Sequence, residues 1–337
     1  MALKIEKLAL TLVLLVTLNL YVFRTYREDT KQNFPPPPIS VSVVIPVYNS
    51  EEFIEKAIKS LLSQTLKSIE FIFVDDKSPD NSSQIIERYA ATDRRFRLIR
   101  NKKNMGPGMS RNVGIEAAYG QYVGFLDPDD WVNPEFYEAL YEKATETASG
   151  TYDIAKGQFV RVRNQTYEYD KNDWWKVIGK KKKIHEVFTW QHYTAIFKRS
   201  ILEEHPDARY GNNSYGEDAI FLMKTCYYSN NITFSNIAKY YYFMRSGSLS
   251  TRSQYVLLYN TYHYLSEIDD FLKSVGDSVV LERTRRDTVK RIEKMLKETK
   301  SPTDEKERLI YKTIKDFIDS IRPPEEPRRT GFLNRFN

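Results

Sequence analysis

Residues Tyr122–Pro134, YVGFLDPDDWVNP, run an apolar segment straight into three carboxylates, Asp127, Asp129 and Asp130. Like charges this close repel one another, while the apolar run ahead of them signals a buried strand. Acids at the C-terminal end of a buried strand stand where open α/β sheets bind ligands. The same pattern recurs upstream. VSVVIPVYN, Val41–Asn49, is a continuous apolar strand closed by polar residues, as in parallel strands buried on both faces. IEFIFVDD ends at Asp75 and Asp76, RFRLIRN forms a third strand, and YVGFL the fourth. Between the first two, Phe53, Ile54, Ala57, Ile58, Leu61 and Leu62 repeat at helical spacing, and Asn49 with Glu52 reads as a capping box. KSPDNSS is turn material, QIIERYA opens a second helix, and GMSRNVGIEAAYG a third that Gly120 stops.

Strands alternating with helices imply right-handed crossovers and a mainly parallel, Rossmann-like sheet flanked by helices. Tyr48, Asn49, Asp75, Asp76, Asp127 and Asp129 then converge on one rim. Crowded carboxylates stay ionised there only beside a cation. Asp-x-Asp offers the hard oxygens that Mg2+ or Mn2+ takes together with phosphate oxygens. Alone the triplet is weak, because exposed loop acids and helix caps share it. Asp130, with Trp131 and Pro134, also reads as a cap of the next helix.

Composition sets the outer limits. The 337 residues are 41% hydrophobic and 14% aromatic, which suits a packed core and not a disordered chain. The net charge of +6 owes much to stretches such as ERTRRDTVKRIEKMLKETK. Acids and bases interleave there, so this is a solvated helical face or a patch for phosphate or anionic lipid. Nothing else points to nucleic acid. Cys226 is the only cysteine, which excludes an intrachain disulfide and a thiolate metal cage.

At the N-terminus, Leu8–Phe23 is apolar between Lys4, Lys7, Arg24 and Arg27. No cleavage site follows, so an uncleaved single-span anchor is preferred to a signal peptide or a surface helix. The chain divides into a tail (1–7), a transmembrane signal-anchor (8–24), a Pro-rich stem (25–40), a catalytic domain (41–250) and a helical extension with a basic tail (251–337). Sequons at Asn81, Asn164, Asn212 and Asn231 tilt the orientation slightly towards a Golgi-type lumen, with a bacterial inner membrane as the alternative.

Together VSVVIPVYN, FIEKAIKSLLSQTL, EFIFVDDKSPDNS, NMGPGMSRNVGI and YVGFLDPDDW resemble the amino-terminal half of the family 2 glycosyltransferases, inverting enzymes with a GT-A fold. The resemblance resumes at AIFKRSILEE and YGEDAIFLMK, and faintly at YYFMRSGSLST. It implies that Pro46 and Tyr48 line a nucleoside pocket, with Asn49 beside them and Asp76 accepting a hydrogen bond from the base. It makes Asp127 and Asp129 the metal-binding pair and places Arg111 near the nucleotide. Asp218 becomes the catalytic base with Glu217 beside it, and Arg245 part of a loop over the diphosphate. Lys77 stands where the family often has Gly, Ser110 where Ala is common, and Pro128 in the variable middle of the triplet.

The expected reaction moves a sugar from a nucleotide-diphosphate sugar, a UDP-sugar by default, to a hydroxyl of a glycan, lipid-linked or protein acceptor. One carboxylate takes the acceptor's proton while Mn2+ or Mg2+ offsets the leaving charge. Bland readings stand beside these roles. Asp218 also reads as a helix N-terminal acid, Arg111 as a partner of a surface acid, and Tyr48 as core. Trp174, Trp175 and Trp190 are core or a sugar-stacking platform, and His185 and His192 are ordinary histidines or, as the alternative, metal ligands. A silent sugar-nucleotide-binding scaffold would keep the same fold. A nucleotidyltransferase would carry a Gly-rich phosphate loop, which PVYNSEEF lacks.

Overall fold

The computed structural model describes residues 38–146, 150–163, 165–169, 191–211, 216–244 and 254–323. The anchor expected at 8–24, most of the stem, Trp174, Trp175, His185, Trp190, Arg245 and the sequons at Asn164 and Asn212 lie outside them. Among the described residues no helix is long and apolar enough to cross a membrane.

The first half follows its periodicities. Strands β1 (Val41–Val47) and β2 (Ile69–Asp75) are buried at every position, as continuous apolar runs require. They alternate with α1 (Ile54–Leu62), α2 (Ser82–Ala90), β3 (Phe96–Arg100), α3 (Pro107–Glu116) and β4 (Tyr122–Phe125). Val41, Val43, Ile45 and Val47 pack into one layer with Ile54, Ala57 and Ile58 of α1. Val44 joins Ile72, Val74, Val123 and Phe125 in the other layer. The two-residue period of a strand thus fills both sides of the sheet.

Two boundaries depart from expectation. No capping box forms, because α1 begins only at Ile54 and its N-cap Phe53 makes no side-chain cap bond. Instead the Ser50 carbonyl accepts the N–H groups of Phe53 and Ile54, and Asp80 accepts that of Glu51 at 2.8 Å. Helix α3 ends at Glu116, before Gly120. Gly120 serves a close approach: a Cβ there would lie 2.5 Å from the Ser42 nitrogen.

The second half comprises β5 (Trp131–Val132), α4 (Phe136–Thr145), β6 (Ile154–Arg163), β7 (Thr166–Tyr169), a 3-10 turn (His192–Thr194), β8 (Ala195–Lys198), α5 (Arg199–Glu204), α6 (Glu217–Tyr228) and β9 (Ile232–Phe243). The described strands make one nine-stranded sheet, ordered β3-β2-β1-β4-β8-β6-β9-β5 with β7 on β6. The expectation of a mainly parallel sheet is corrected here. Pairs β1–β2, β1–β4, β2–β3 and β6–β9 are parallel, whereas β4–β8, β6–β8, β6–β7 and β5–β9 are antiparallel. Past Pro134 the strand–helix alternation lapses, and a tight hairpin such as β6–β7 joins antiparallel neighbours, since parallel ones need a crossover.

The chain forms two compact units, Met1–Ser248 and Leu249–Asn337. The second contains helices α7 (Gln254–Ser274), α8 (Ser278–Glu298) and α9 (Glu305–Ile321). Asp277 and Asp304 cap α8 and α9 by accepting the N–H groups of Val280 and Glu307. Along α8, Thr284, Thr288, Val289, Ile292 and Leu296 are buried. Helical spacing leaves the interleaved charges on the other face.

Candidate functional site

At the end of β1, Pro46 is buried, but Tyr48 is 51% exposed, which removes its reading as core. Asn49 follows with φ +50, its N–H donating to Ser78 Oγ at 3.3 Å. At the end of β2, Asp75 accepts from the Ser78 N–H and from Ser83 Oγ, at 3.0 and 2.6 Å. The Asp76 carboxylate is bonded from the loop that precedes α3. It accepts from Asn101 Nδ2 at 2.8 Å, the Met105 N–H at 2.9 Å and the Gly106 N–H at 2.7 Å. Those donors belong to the loop that leads into α3, so Asp76 anchors the segment that presents Arg111.

Arg111 is buried and joins three parts of the chain. Its Nη2 donates to Asp127 Oδ1 at 2.7 Å and its Nη1 to Glu217 Oε1 at 3.3 Å. Its guanidinium lies 5.3 Å from the centre of the Tyr210 ring. Its partners are site acids and not a surface acid. Helix α3 passes close to α6 because residue 108 is Gly: a Cβ there would meet Glu217 Cγ at 3.0 Å. The next residue, Asn112, exchanges two bonds with the Tyr210 backbone, at 2.9 and 3.0 Å.

The acidic loop is fixed from β9. The Asp127 N–H donates to Tyr240 Oη at 3.1 Å. Asp130 is fully buried and accepts from the Tyr240 hydroxyl at 2.7 Å and the Phe243 N–H at 2.8 Å. Its reading as a helix cap is therefore corrected, for α4 starts only at Phe136. Burial first, then the charges of Asp129 and Asp127, push the Asp130 carboxyl well above its usual range.

Glu217 and Asp218 open α6 behind Gly216. Burial pushes Glu217 up to about 7, against the pull of Arg111 and with the push of Asp218. Burial also raises Asp218, again opposed by Arg111. Asp218 Oδ1 accepts the Ala219 N–H at 2.8 Å, the feature expected of a helix N-terminal acid, and the same carboxyl feels the charges of Arg111 and Asp127.

Of this cluster Tyr210 escaped the sequence reading, and His192 was given no part in the site beyond the metal-ligand alternative. His192 is buried edge-on to Phe125 and Tyr210, and neither ring nitrogen has a partner among the described residues. Burial and the Arg111 charge push its pKa well down, so the ring stays neutral. The Tyr210 hydroxyl and Arg111 Nε are likewise unpartnered among the described residues. No spacing in the sequence ties positions 111, 192 and 210 together.

Among the described residues no group of three or more His, Cys, Asp or Glu side chains is arranged to hold a metal ion. One oxygen of Asp127 is committed to Arg111, and Asp130 is raised by burial first and then by the charges of Asp129 and Asp127. This donor set suits a cation that shares its shell with substrate phosphates, not a closed protein cage. Nearby, a cleft of about 730 Å³ is lined by Asn49, Phe53, Asp80, Phe243 and Met244, among others.

Comparison with known proteins gives the family and the fold type. The profile described as Glycosyl transferase family 2 matches residues 42–205. The cholesterol galactosyltransferase of Borreliella burgdorferi is 30% identical over 260 residues, covering 70% of this chain and 68% of that protein. The chain spans less than two thirds of the length of the first curated relatives it matches. Staphylococcus aureus TarS 1–349, solved in complex with UDP-GlcNAc, superposes with a TM-score of 0.65 at 22% identity, covering 84% of this chain and 82% of that one. The mannosyltransferase PcManGT of Pyrobaculum calidifontis, solved with GDP-Man and Mn2+, gives 0.53 at 14%, covering 90% and 91%. The fold is thus mixed α/β of the GT-A type. The chain belongs to the family 2 glycosyltransferases.

Proposed function

We propose that the protein transfers a sugar from a nucleotide-diphosphate sugar, a UDP-sugar in the first instance, to a hydroxyl of a glycan, glycolipid or glycoprotein, inverting the anomeric carbon. The observation that carries this is the buried arginine bridge: Arg111 between Asp127 and Glu217, with Asp218 in the same field, beyond the C-terminal ends of parallel strands. Complexes of TarS with UDP-GlcNAc and of PcManGT with GDP-Man support the donor class.

Asp218 takes the acceptor's proton as the hydroxyl attacks. Burial makes this carboxyl a better proton acceptor, while Arg111 keeps it ionisable. Glu217 holds Arg111 in place and itself changes charge near neutrality. Tyr48, exposed at the end of β1, offers its ring to the base beside Asn49, and Pro46 shapes the strand end beneath. Asp127 and Asp129 would hold Mn2+ or Mg2+ jointly with the diphosphate, and such an ion offsets the charge of the leaving group. The Mn2+ complex of PcManGT favours that ion. Arg245 over the diphosphate and a membrane anchor at 8–24 belong to the same proposal.

Calorimetric titration of the full chain with UDP, GDP and CDP, in Mn2+ or EDTA, tests it. One nucleotide should bind only with metal, and Asp129→Asn should weaken it by roughly tenfold or more, the worth of a charge-assisted contact. A folded protein that binds none of them would be a silent scaffold of the same fold.

A further inference from the structure

We propose that Tyr193 is a donor-sugar contact whose hydroxyl bonds a hydroxyl of the sugar held between Asp127 and Asp218, an inference that rests on the transferase reading above. Tyr193 precedes β8, which runs antiparallel to β4 with Gly124 opposite Ile196. What leads into β8 therefore meets what leaves β4, and the same register continued sets Tyr193 level with Asp127. The 3-10 turn that carries Tyr193 also packs against α6, β6 and β9. It thus touches the elements that bear Asp218 and Tyr240.

The turn is held firmly. Thr194 Oγ1 accepts from the buried Lys156 Nζ at 2.6 Å and donates to the Gln191 carbonyl at 2.7 Å. His192 and Tyr193 then leave the turn in different directions. His192 enters the core beside Phe125, Tyr210 and Phe221. The Tyr193 ring instead stacks on that of Tyr240, with centroids 4.5 Å apart and planes at 28°, and lies near-parallel to that of Tyr242 at 6.4 Å. Tyr240 is the residue whose hydroxyl accepts the Asp127 N–H and donates to the Asp130 carboxyl. Tyr193 therefore lies on the face of β9 from which the acids are held.

Its hydroxyl is the uncommitted part. Tyr193 is half-buried, and its hydroxyl makes no hydrogen bond among the described residues. A tyrosine that served the core alone would bury that group with a partner. Burial first, then the charges of Asp130, Asp127 and Asp218, push the phenol well above its usual range, so it remains a donor. The phenol feels the acids of the loop and of α6 together, which agrees with its place in the fold. An inverting displacement brings the attacking hydroxyl to the face of the sugar opposite the leaving group. With the diphosphate at Asp127 and Asp129 and the acceptor at Asp218, the sugar ring lies between them, beside Tyr193.

The test uses the full chain and Tyr193→Phe, which keeps the stacked ring and removes only the hydroxyl. Calorimetry in Mn2+ compares UDP and GDP with UDP-glucose, UDP-galactose, UDP-N-acetylglucosamine and GDP-mannose. One sugar nucleotide should bind the variant about three- to tenfold more weakly than the parent, the worth of one neutral hydrogen bond. Its bare nucleotide should bind both proteins equally. Deoxy analogues of that donor identify the bonded hydroxyl: the analogue lacking it should bind the parent as weakly as the full donor binds the variant, and the variant should not distinguish the two. Equal affinities of parent and variant for every sugar nucleotide would overturn the contact. So would a matching loss for the bare nucleotide, which would make Tyr193 a support of the acidic loop through Tyr240. A folded parent that binds no nucleotide would strike the transferase reading itself, and this inference with it.

Discussion

Among the described residues Arg97 and Arg111 each pair with a buried glutamate, and their surroundings differ. Arg97 Nη1 donates to Glu70 Oε2 at 2.6 Å and to the Ala117 carbonyl at 2.9 Å. The other Glu70 oxygen accepts from the Ser42 hydroxyl and the Tyr119 N–H. Ser42 Oγ in turn accepts from the Gly120 N–H at 2.7 Å. In this network the carboxylate has donors on both oxygens. Arg111 has two acids but an Nε without a partner among the described residues, beside a Tyr210 hydroxyl in the same position and a glutamate that gives up its proton only near neutrality. Removing a partner from a satisfied buried pair is costly, whereas an unsatisfied cluster already carries its cost in the free protein. The complete pair holds the sheet to its loops; the incomplete one has capacity left for a ligand.

The largest effect should come from breaking the complete pair. Glu70→Ala leaves Arg97 buried without its carboxylate and should cost about 3–5 kcal/mol in urea unfolding. UDP affinity of the remaining folded fraction should not change, and a loss of affinity without a loss of stability would make the two pairs alike.

The corresponding change at the other glutamate should have the opposite sign. The folded Glu217 carboxyl holds its proton up to about 7 against an ordinary value of 4.5. The native state therefore binds the extra proton across that window, and its stability falls as pH rises through it. Glu217→Gln removes this penalty, so it should stabilise the protein at pH 8 by on the order of 2 kcal/mol and hardly at all below pH 4.5. Melting temperatures at both pH values measure this, and a destabilised variant at pH 8 would show that the Arg111 contact outweighs burial.

The smallest change sharpens the contrast further. Tyr210→Phe deletes a buried hydroxyl that has no partner among the described residues, so stability should stay level or rise by up to about 1 kcal/mol. A clear loss would mean that the hydroxyl is satisfied in solution and that the cluster is less open than its geometry indicates.

The parts legible in the sequence are those whose cause is local. β1, β2, β4 and α1 to α3 declare themselves by unbroken apolar runs and helical spacing, since those strands are covered on both faces, while the edge strand β3 is only partly buried. β9 mixes Ser235, Asn236 and Lys239 with aromatics because it serves a core on one face and a surface on the other. β5 has two residues, too few for any period. Asp127 and Glu217 are readable as site acids, but their link through Arg111 has no trace in spacing. Asp130 read as a cap because the partners that bury it lie 110 and 113 residues away. Lys77, in the place of the usual Gly, adopts φ +61, so the turn keeps the left-handed backbone that Gly would take readily.

That separation has a consequence for how the protein is made. The acidic loop leaves the ribosome early, but the Tyr240 hydroxyl and the Phe243 N–H that fix Asp130 come 110 and 113 residues later. At synthesis rates of about 5–20 residues per second, the loop waits on the order of 6–20 s for its last strand. Until then the acids stay unsecured, although β8 has already covered the β4 edge of the parallel strands. Strand β9, by docking between β6 and β5, acts as the closing stitch, and a ribosome-stalled chain ending before Tyr240 should have a sheet in place but no fixed site.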